Sequence, residues 1–184
     1  MRAVILQMGV SLDGYVARSD RDNSDWALPP EDEAVTAWKL DSVRHVGTHI
    51  MGRVTYGEMA AHWPSSTEAY AAPMNNIPKV VFSRTLTSAD WPDSRIARGD
   101  LAKEIDTLRC EPGGDIMVHG GAGFVQALSR QHLIDEYRLV IRAVALGSGL
   151  PLFKDLATPL PLNLVSATTF PDGTAIHVYR PRTP

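Results

Sequence analysis

Val118-His119-Gly120-Gly121-Ala122-Gly123-Phe124 follows the apolar run Asp115-Ile116-Met117-Val118 and leads into a helical pattern with Phe124 and Leu128 flanked by Val125 and Ala127. The stretch reads as strand, tight turn and helix, with the helix ending near Leu133. A helix N-terminus offers unpaired N–H groups and the positive end of the dipole, and Gly120, Gly121 and Gly123 would let a phosphate approach that backbone closely. A tight strand-to-helix turn with no ligand accounts for the same glycines. The spacing fails the G-x-G-x-x-G dinucleotide fingerprint, because Gln126 stands where the third glycine belongs.

Outward from this turn, short β-rich runs alternate with helical patterns through the first two thirds of the chain, and the last third is strand-rich. The expected class is α/β, a mixed sheet flanked by helices. Residues 2 to 10 read as a buried strand, and Pro29-Pro30 before Glu31-Asp32-Glu33 reads as a helix start, with the helix ending before Val43. Residues 46 to 51 and 78 to 83 read as short strands, the first followed by a helical turn around Tyr56 to Ala61. Asp100 caps a helix carrying Leu101, Ile105 and Leu108 on one face, and Pro112-Gly113-Gly114 punctuates before the next strand. Glu136 to Val144 is long and apolar, and Phe170-Pro171-Asp172-Gly173-Thr174 turns between the two strands of a C-terminal β-hairpin.

The 184 residues suit one domain spanning 1–184, with no repeat or low-complexity stretch to mark a second. A composition 44% hydrophobic and 21% charged, with formal net charge −3, is ordinary for a soluble globular protein and gives no duplex-binding footprint. Nucleic acid is not an expected partner. The N-terminus turns polar at Gln7, too soon for a signal peptide, no apolar run approaches the ~20 residues of a membrane span, and the single Cys110 cannot form an internal disulfide. The expected location is cytoplasmic.

Two further clusters fall where strands end, the place where sheet ligands gather: Met51-Gly52-Arg53-Val54-Thr55-Tyr56 and Phe82-Ser83-Arg84-Thr85. Arginine forks and Ser or Thr hydroxyls suit phosphate oxygens, although either arginine alone also reads as a solvated surface residue. Together with Ser11-Leu12-Asp13-Gly14-Tyr15-Val16-Ala17 and Leu133-Ile134-Asp135-Glu136-Tyr137, running to Leu146-Gly147-Ser148-Gly149-Leu150-Pro151-Leu152-Phe153, these pieces resemble the dihydrofolate reductase superfamily. Within it they are most similar to the reductase (C-terminal) domain of bifunctional riboflavin-biosynthesis deaminase/reductase proteins. The 184 residues leave no room for that pathway's zinc deaminase domain, and Tyr15 follows Asp-Gly where the biosynthetic domain usually has lysine.

The resemblance implies a dihydrofolate-reductase-like, mixed but mostly parallel sheet, NADPH as cofactor, and a homodimer with the strand around Glu136 to Val144 as its contact. It places Gly120, Gly121, Ala122 and Gly123 under the pyrophosphate, with a cis peptide between Gly120 and Gly121. Gly52, Arg53 and Thr55 fall at the adenosine-side phosphates, and Ser83 with Arg84 near the ribose 2′-phosphate. The implied activity is hydride transfer to a small heterocyclic or ribosylaminopyrimidine-like substrate, as in a 5-amino-6-(5-phosphoribosylamino)uracil reductase. A true dihydrofolate reductase and a non-catalytic nucleotide-binding module are the alternatives.

Hydride transfer needs orientation and at most one proton donor, so the candidates are few. Asp13 is either a pocket carboxylate, catalytic or substrate-binding, or part of an Asp-Gly turn. Glu31 resembles the acid that contacts the pterin in folate reductases, or else simply complements a helix dipole. Trp26 is a lid over the substrate or ordinary core. His45 and His49 lack a carboxylate or third ligand, so no metal site is expected. His119 reads as a sheet-bonded or passive residue, Cys110 as a spare apolar side chain, and Ser148 as part of a closing loop.

Overall fold

The computed structural model describes residues 1–18 and 31–182. Ten strands and five helices follow one another as β1 (Val4–Ser11), β2 (Tyr15–Ala17), α1 (Glu33–Ser42), β3 (Val46–Gly52), α2 (Arg53–His62), α3 (Ala71–Asn76), β4 (Lys79–Phe82), β5 (Ser94–Ala97), α4 (Leu101–Cys110), β6 (Asp115–Val118), α5 (Ala122–Arg130), β7 (Glu136–Arg142), β8 (Leu150–Pro151), β9 (Leu162–Thr169) and β10 (Ala175–Pro181) among the described residues. Eight strands form one sheet in the order β5-β4-β3-β6-β1-β7-β10-β9, and β2 pairs with β8 beside it. From β5 to β7 every pairing is parallel. β10 runs antiparallel to both β7 and β9. The expected α/β class, mostly parallel with a C-terminal hairpin, is the observed one.

The connections sort the helices onto two faces. β1 to β3 to β4 steps toward the β5 edge, whereas β5 to β6 to β7 steps back, and right-handed crossovers in opposite directions cover opposite faces. Ile105 and Leu108 of α4 and Val125 and Leu128 of α5 accordingly pack with Leu6, Ile50, Val80 and Val118. On the other face Tyr56 of α2 and Met74 of α3 pack with Met51 and Val81, and Val35 of α1 packs with Val140 and Ile176. No helix among the described residues is long and apolar enough to cross a membrane.

Several local expectations need correction. α1 starts at Glu33, because the Asp32 carboxylate accepts from the Ala34 N–H at 2.7 Å and takes the cap; Pro29-Pro30 lie outside the described residues. α5 ends at Arg130, not near Leu133. There His132 adopts φ +53° and the Leu133 N–H donates to Leu128 O at 3.0 Å, closing the helix in a Schellman-type turn without glycine. The strand proposed as the dimer contact, β7, is interior: β1 and β10 occupy its two edges, and Tyr137, Leu139 and Val140 are buried. It has neither a free edge nor an exposed face to offer a partner.

At the opposite end from the helix N-termini, the β3–β6 register slips between Val46 and Thr48, which pair with Asp115 and Ile116. Gly114 makes the close approach this slip requires, since a Cβ there would stand 2.0 Å from His45 O. The Arg2 guanidinium seals the place, donating to Gly114 O at 2.5 Å, Leu108 O at 3.2 Å and Thr48 Oγ1 at 2.5 Å.

Candidate active site

Two helices begin at the C-terminal end of the parallel strands without a side-chain cap. α2 continues directly from β3 with Gly52 as N-cap, and α5 follows β6 with Gly121 as N-cap. Their starts are tied together, because the Gly52 N–H donates to Gly120 O at 3.1 Å and the Gly121 N–H donates to Thr55 Oγ1 at 2.7 Å. Unpaired N–H groups and two positive dipole ends therefore converge on one mouth. It opens on a cleft of about 1550 Å³.

The turn that aims α5 is made by Gly120 at φ +113° and Gly121 at φ +20°. The expected cis bond between them is absent: no peptide among the described residues is cis, and the change of direction is taken up by positive φ, which glycine adopts without steric cost. A Cβ on Gly120 would also stand 3.0 Å from Met8 Cε. Beside the turn, the rings of Phe82 and Phe124 stack with centroids 4.8 Å apart.

The structure brings Gly52, Arg53, Thr55, Gly121, Ala122 and Gly123 together as lining of the cleft. Gly120 lies buried beneath them. Ser83 and Arg84 fall outside the lining, on the turn after β4. There the Thr85 and Leu86 N–H groups donate to Ser83 Oγ at 3.2 and 3.0 Å, and Arg84 is exposed.

Asp13 is exposed and does not line the cleft. Its carboxylate accepts from Ser11 Oγ at 2.6 Å and from the Leu146 and Gly147 N–H groups at 3.1 and 2.7 Å, fastening the β7–β8 loop to the end of β1. Those bonds favour the charged form and hold its pKa at about 2, against an ordinary 3.8. The contribution to loop order is complete above the ordinary value and is lost as pH falls through about 2. Asp13→Asn is expected to speed amide exchange at Leu146 and Gly147 at neutral pH, measured by NMR; unchanged exchange there would remove the clamp.

Glu31 does line the cleft, but its oxygens are occupied. Oε2 accepts from Lys39 Nζ and from Arg142 at 3.2 Å, and Oε1 accepts from Thr36 Oγ1 at 3.2 Å, joining α1 to β7. It precedes the Asp32 cap and so is not borne on the helix. Trp26 lies outside the described residues.

Sequence reasoning read His119, which lines the cleft, as sheet-bonded or passive and did not pair it with His49. His119 Nε2 and His49 Nδ1 are 2.7 Å apart, and His49 Nε2 reaches Pro73 O at 3.3 Å. Burial depresses both rings, His49 to about 4 and His119 well below the usual histidine value, so both are neutral at pH 7. Gln7 and Tyr70 join His119 along the lining, and burial pushes the Tyr70 phenol up to about 12. The available signal was Gln7 itself, a polar residue interrupting the apolar strand.

A family model described as the RibD C-terminal domain matches residues 2–176. Two Bacillus subtilis (strain 168) proteins of unassigned function are similar along nearly their whole length: YwjB, 30% identical over 185 residues, covering 97% of this chain and 98% of its own, and YyaP, 29% identical over 183 residues, covering 97% and 94%. Among solved structures, a Shewanella sp. PV-4 protein provisionally assigned to riboflavin biosynthesis superposes with TM-score 0.79 at 24% identity, over 98% of this chain and 99% of that one. The Thermotoga maritima diaminohydroxyphosphoribosylaminopyrimidine deaminase/5-amino-6-(5-phosphoribosylamino)uracil reductase gives 0.67 at 18% identity, over 98% of this chain and 57% of that one. Enterococcus faecalis dihydrofolate reductase, complexed with NADP(H), gives 0.65 at 12% identity, over 98% and 97%. The likeness to these structures is one of fold.

Proposed function

The chain belongs to the RibD C-terminal domain family, and from that premise we propose that it is an NADPH-dependent reductase delivering hydride to a small heterocyclic, ribosylaminopyrimidine-like substrate. The observation that carries the reading is the convergence of two uncapped helix starts, one bearing Arg53 and Thr55 and the other Gly121 to Gly123, on a single cleft. This donor set fits a diphosphate: backbone N–H groups supply directed bonds, Arg53 supplies charge, and nothing lies within 4 Å of a Cβ built on Gly123, so the cradle is open. The names of the Thermotoga and Enterococcus proteins agree with a reductase using a reduced pyridine nucleotide.

Bound NADPH would supply the hydride. The chain's own part is to hold the diphosphate at Gly121 to Gly123, to bound the neighbouring space with Phe82 and Phe124, and to keep the β7–β8 loop in place through Asp13. Glu31 and Trp26 are the substrate-side residues of the proposal, with Glu31 acting as a fixed carboxylate at the foot of α1. The proposal includes a homodimer, for which β9, an edge strand among the described residues, is the surface: Leu162–Thr169 carries no charge, and Leu164 and Val165 are 55% and 50% exposed.

Calorimetric titration with NADPH and NADH, followed by the reduced-nicotinamide absorbance in the presence of pyrimidines and pterins, tests the reading. Binding of neither nucleotide would overturn it. The engagement of both Glu31 oxygens by protein donors favours a second reading, a ligand-binding module that holds the nucleotide without turnover. Oxidation of NADPH by any of these substrates excludes the module.

The proposal puts Arg84 at the 2′-phosphate together with Ser83, whose Oγ accepts two N–H bonds and still has its hydroxyl proton to donate. Arg84→Ala is expected to raise the Michaelis constant for NADPH by about tenfold and that for NADH by less than about twofold. Equal effects on the two nucleotides would reject this placement.

A further inference from the structure

We propose that His119 Nδ1 accepts a hydrogen bond from a ring N–H of the substrate heterocycle, and that His49 is the positioning residue that keeps the His119 proton on Nε2. This rests on the reductase reading only for the statement that the occupant is the substrate.

Register puts the two rings on one face. His49 pairs with Met117 across the parallel β3–β6 ladder, and the His119 N–H donates to Ile50 O at 3.0 Å. Side chains alternate along a strand, so His49, Met117 and His119 share the face on which Met117 packs with Val43 under the α1–α3 layer. His119 lines the cleft there with Glu31 and Thr36, on the substrate side of the proposal, while the diphosphate is assigned to the helix start beyond it.

The network leaves one lone pair open to the cleft. The rings meet edge to face with centroids 4.5 Å apart, and His119 Nε2 lies 2.7 Å from His49 Nδ1. Pro73 O, 3.3 Å from His49 Nε2, can only accept, which puts the His49 proton on Nε2. Both rings are neutral at pH 7, so His49 Nδ1 accepts and His119 Nε2 donates. The remaining lone pair of His119 is at Nδ1, to which no described residue donates. Among the described residues, the buried side-chain nitrogen and oxygen atoms without a partner are Gln7 Oε1, Ser94 Oγ and Arg109 Nε. His119 Nδ1 is not one of them, so it reaches accessible surface, and the surface His119 borders is that of the cleft. A ligand N–H satisfies this lone pair, whereas a carbonyl or an N-methyl group covers it and leaves it unpaired.

The probe is 5,6-diaminouracil, compared with its 1-methyl and 3-methyl derivatives, each of which lacks one ring N–H. In calorimetry on the cofactor-free full chain, one of the two methylations is expected to weaken binding at least about tenfold in the wild type. In His119→Phe, which keeps the bulk of the ring and removes the acceptor, the same penalty should shrink below about threefold. Nitrogen-15 NMR should show wild-type His119 protonated on Nε2 alone, with the Nδ1 resonance moving on addition of 5,6-diaminouracil while that nitrogen stays unprotonated. His49→Phe should spread the proton over both nitrogens of His119 and reduce the methylation penalty; a merely structural His49 would leave the tautomer unchanged.

Equal binding of the parent and both derivatives to the wild type, no binding of any at millimolar concentration, a penalty undiminished in folded His119→Phe, or a proton on Nδ1 of wild-type His119 would each overturn the proposal. If His119→Phe does not fold, the response of the wild-type Nδ1 resonance decides. NADPH is titrated separately, so failure of cofactor binding removes the reductase reading and leaves the pyrimidine comparison standing.

Discussion

Gly123→Asp is expected to weaken the proposed NADPH binding by at least about 100-fold while raising the melting temperature. Gly123 is the second residue of α5, and a Cβ there meets nothing within 4 Å, so the new side chain projects into the open mouth of the cleft without displacing protein atoms. A carboxylate in the first turn of a helix gains about 0.3–1 kcal/mol from the dipole, and removing a glycine from the helix adds to the gain. For a chain of this size that amounts to a rise of roughly 1–4 °C. The same carboxylate stands where the diphosphate is proposed to sit, and two like charges about 4 Å apart at a partly screened surface repel by about 4 kcal/mol. Calorimetry with NADPH and a thermal melt on the same sample separate the two effects. An affinity within about threefold of wild type would show that the diphosphate does not lie over this turn.

Gly114→Val is expected to remove a large share of the stability of the folded state. The first side-chain carbon would lie 2.0 Å from His45 O and 2.9 Å from His45 C, contacts with backbone that no rotamer can relieve. Opening the gap breaks the Asp115 N–H bond to His45 O, 2.8 Å in the native sheet, and pulls Gly114 O from the Arg2 guanidinium, which then stays buried with fewer acceptors. Losses of this kind exceed about 4 kcal/mol, a large share of the stability of a domain of this size. The urea midpoint by circular dichroism reads the effect. Gly57→Ala, inside α2 with nothing within 4 Å of its Cβ, is the control and should be slightly more stable than wild type. A Gly114→Val protein with a wild-type midpoint would contradict the observed β3–β6 approach.

Local pattern made the parallel core and the helix-start glycines legible, because both depend on residues adjacent in sequence. The apolar runs at 46–51 and 115–118 announce buried strands, and three glycines between a strand and a helix announce a turn with exposed amides. Strand order is not local, and that is where expectation and structure part. The family resemblance makes the strand from Glu136 the dimer contact, yet β1 and the return of β10 enclose it. Asp13 reads as a pocket acid or a turn residue from its motif, yet besides Ser11 its partners lie 133 and 134 residues away in a loop. His49 and His119 are 70 residues apart, and each is unremarkable until β3 and β6 lie side by side. Gly114 reads as punctuation in Pro112-Gly113-Gly114, and only the slipped register shows why a side chain has no room there.

The central position of β1 bears on how the chain is made. Both of its neighbours lie far downstream, as the Ala3 bond to Asp115 across 112 residues and the Val4 bond to Asp135 across 131 show. At 5–20 residues per second a ribosome needs roughly 6–25 s to deliver the first of them. Through that interval Val4, Ile5, Leu6 and Val10 leave the exit tunnel with neither neighbouring strand of β1 yet made, and their apolar side chains stay uncovered until β6 and β7 arrive. Synthesis halted before β7 yields a product whose middle strand has a single flank, a species fated for proteolysis or aggregation.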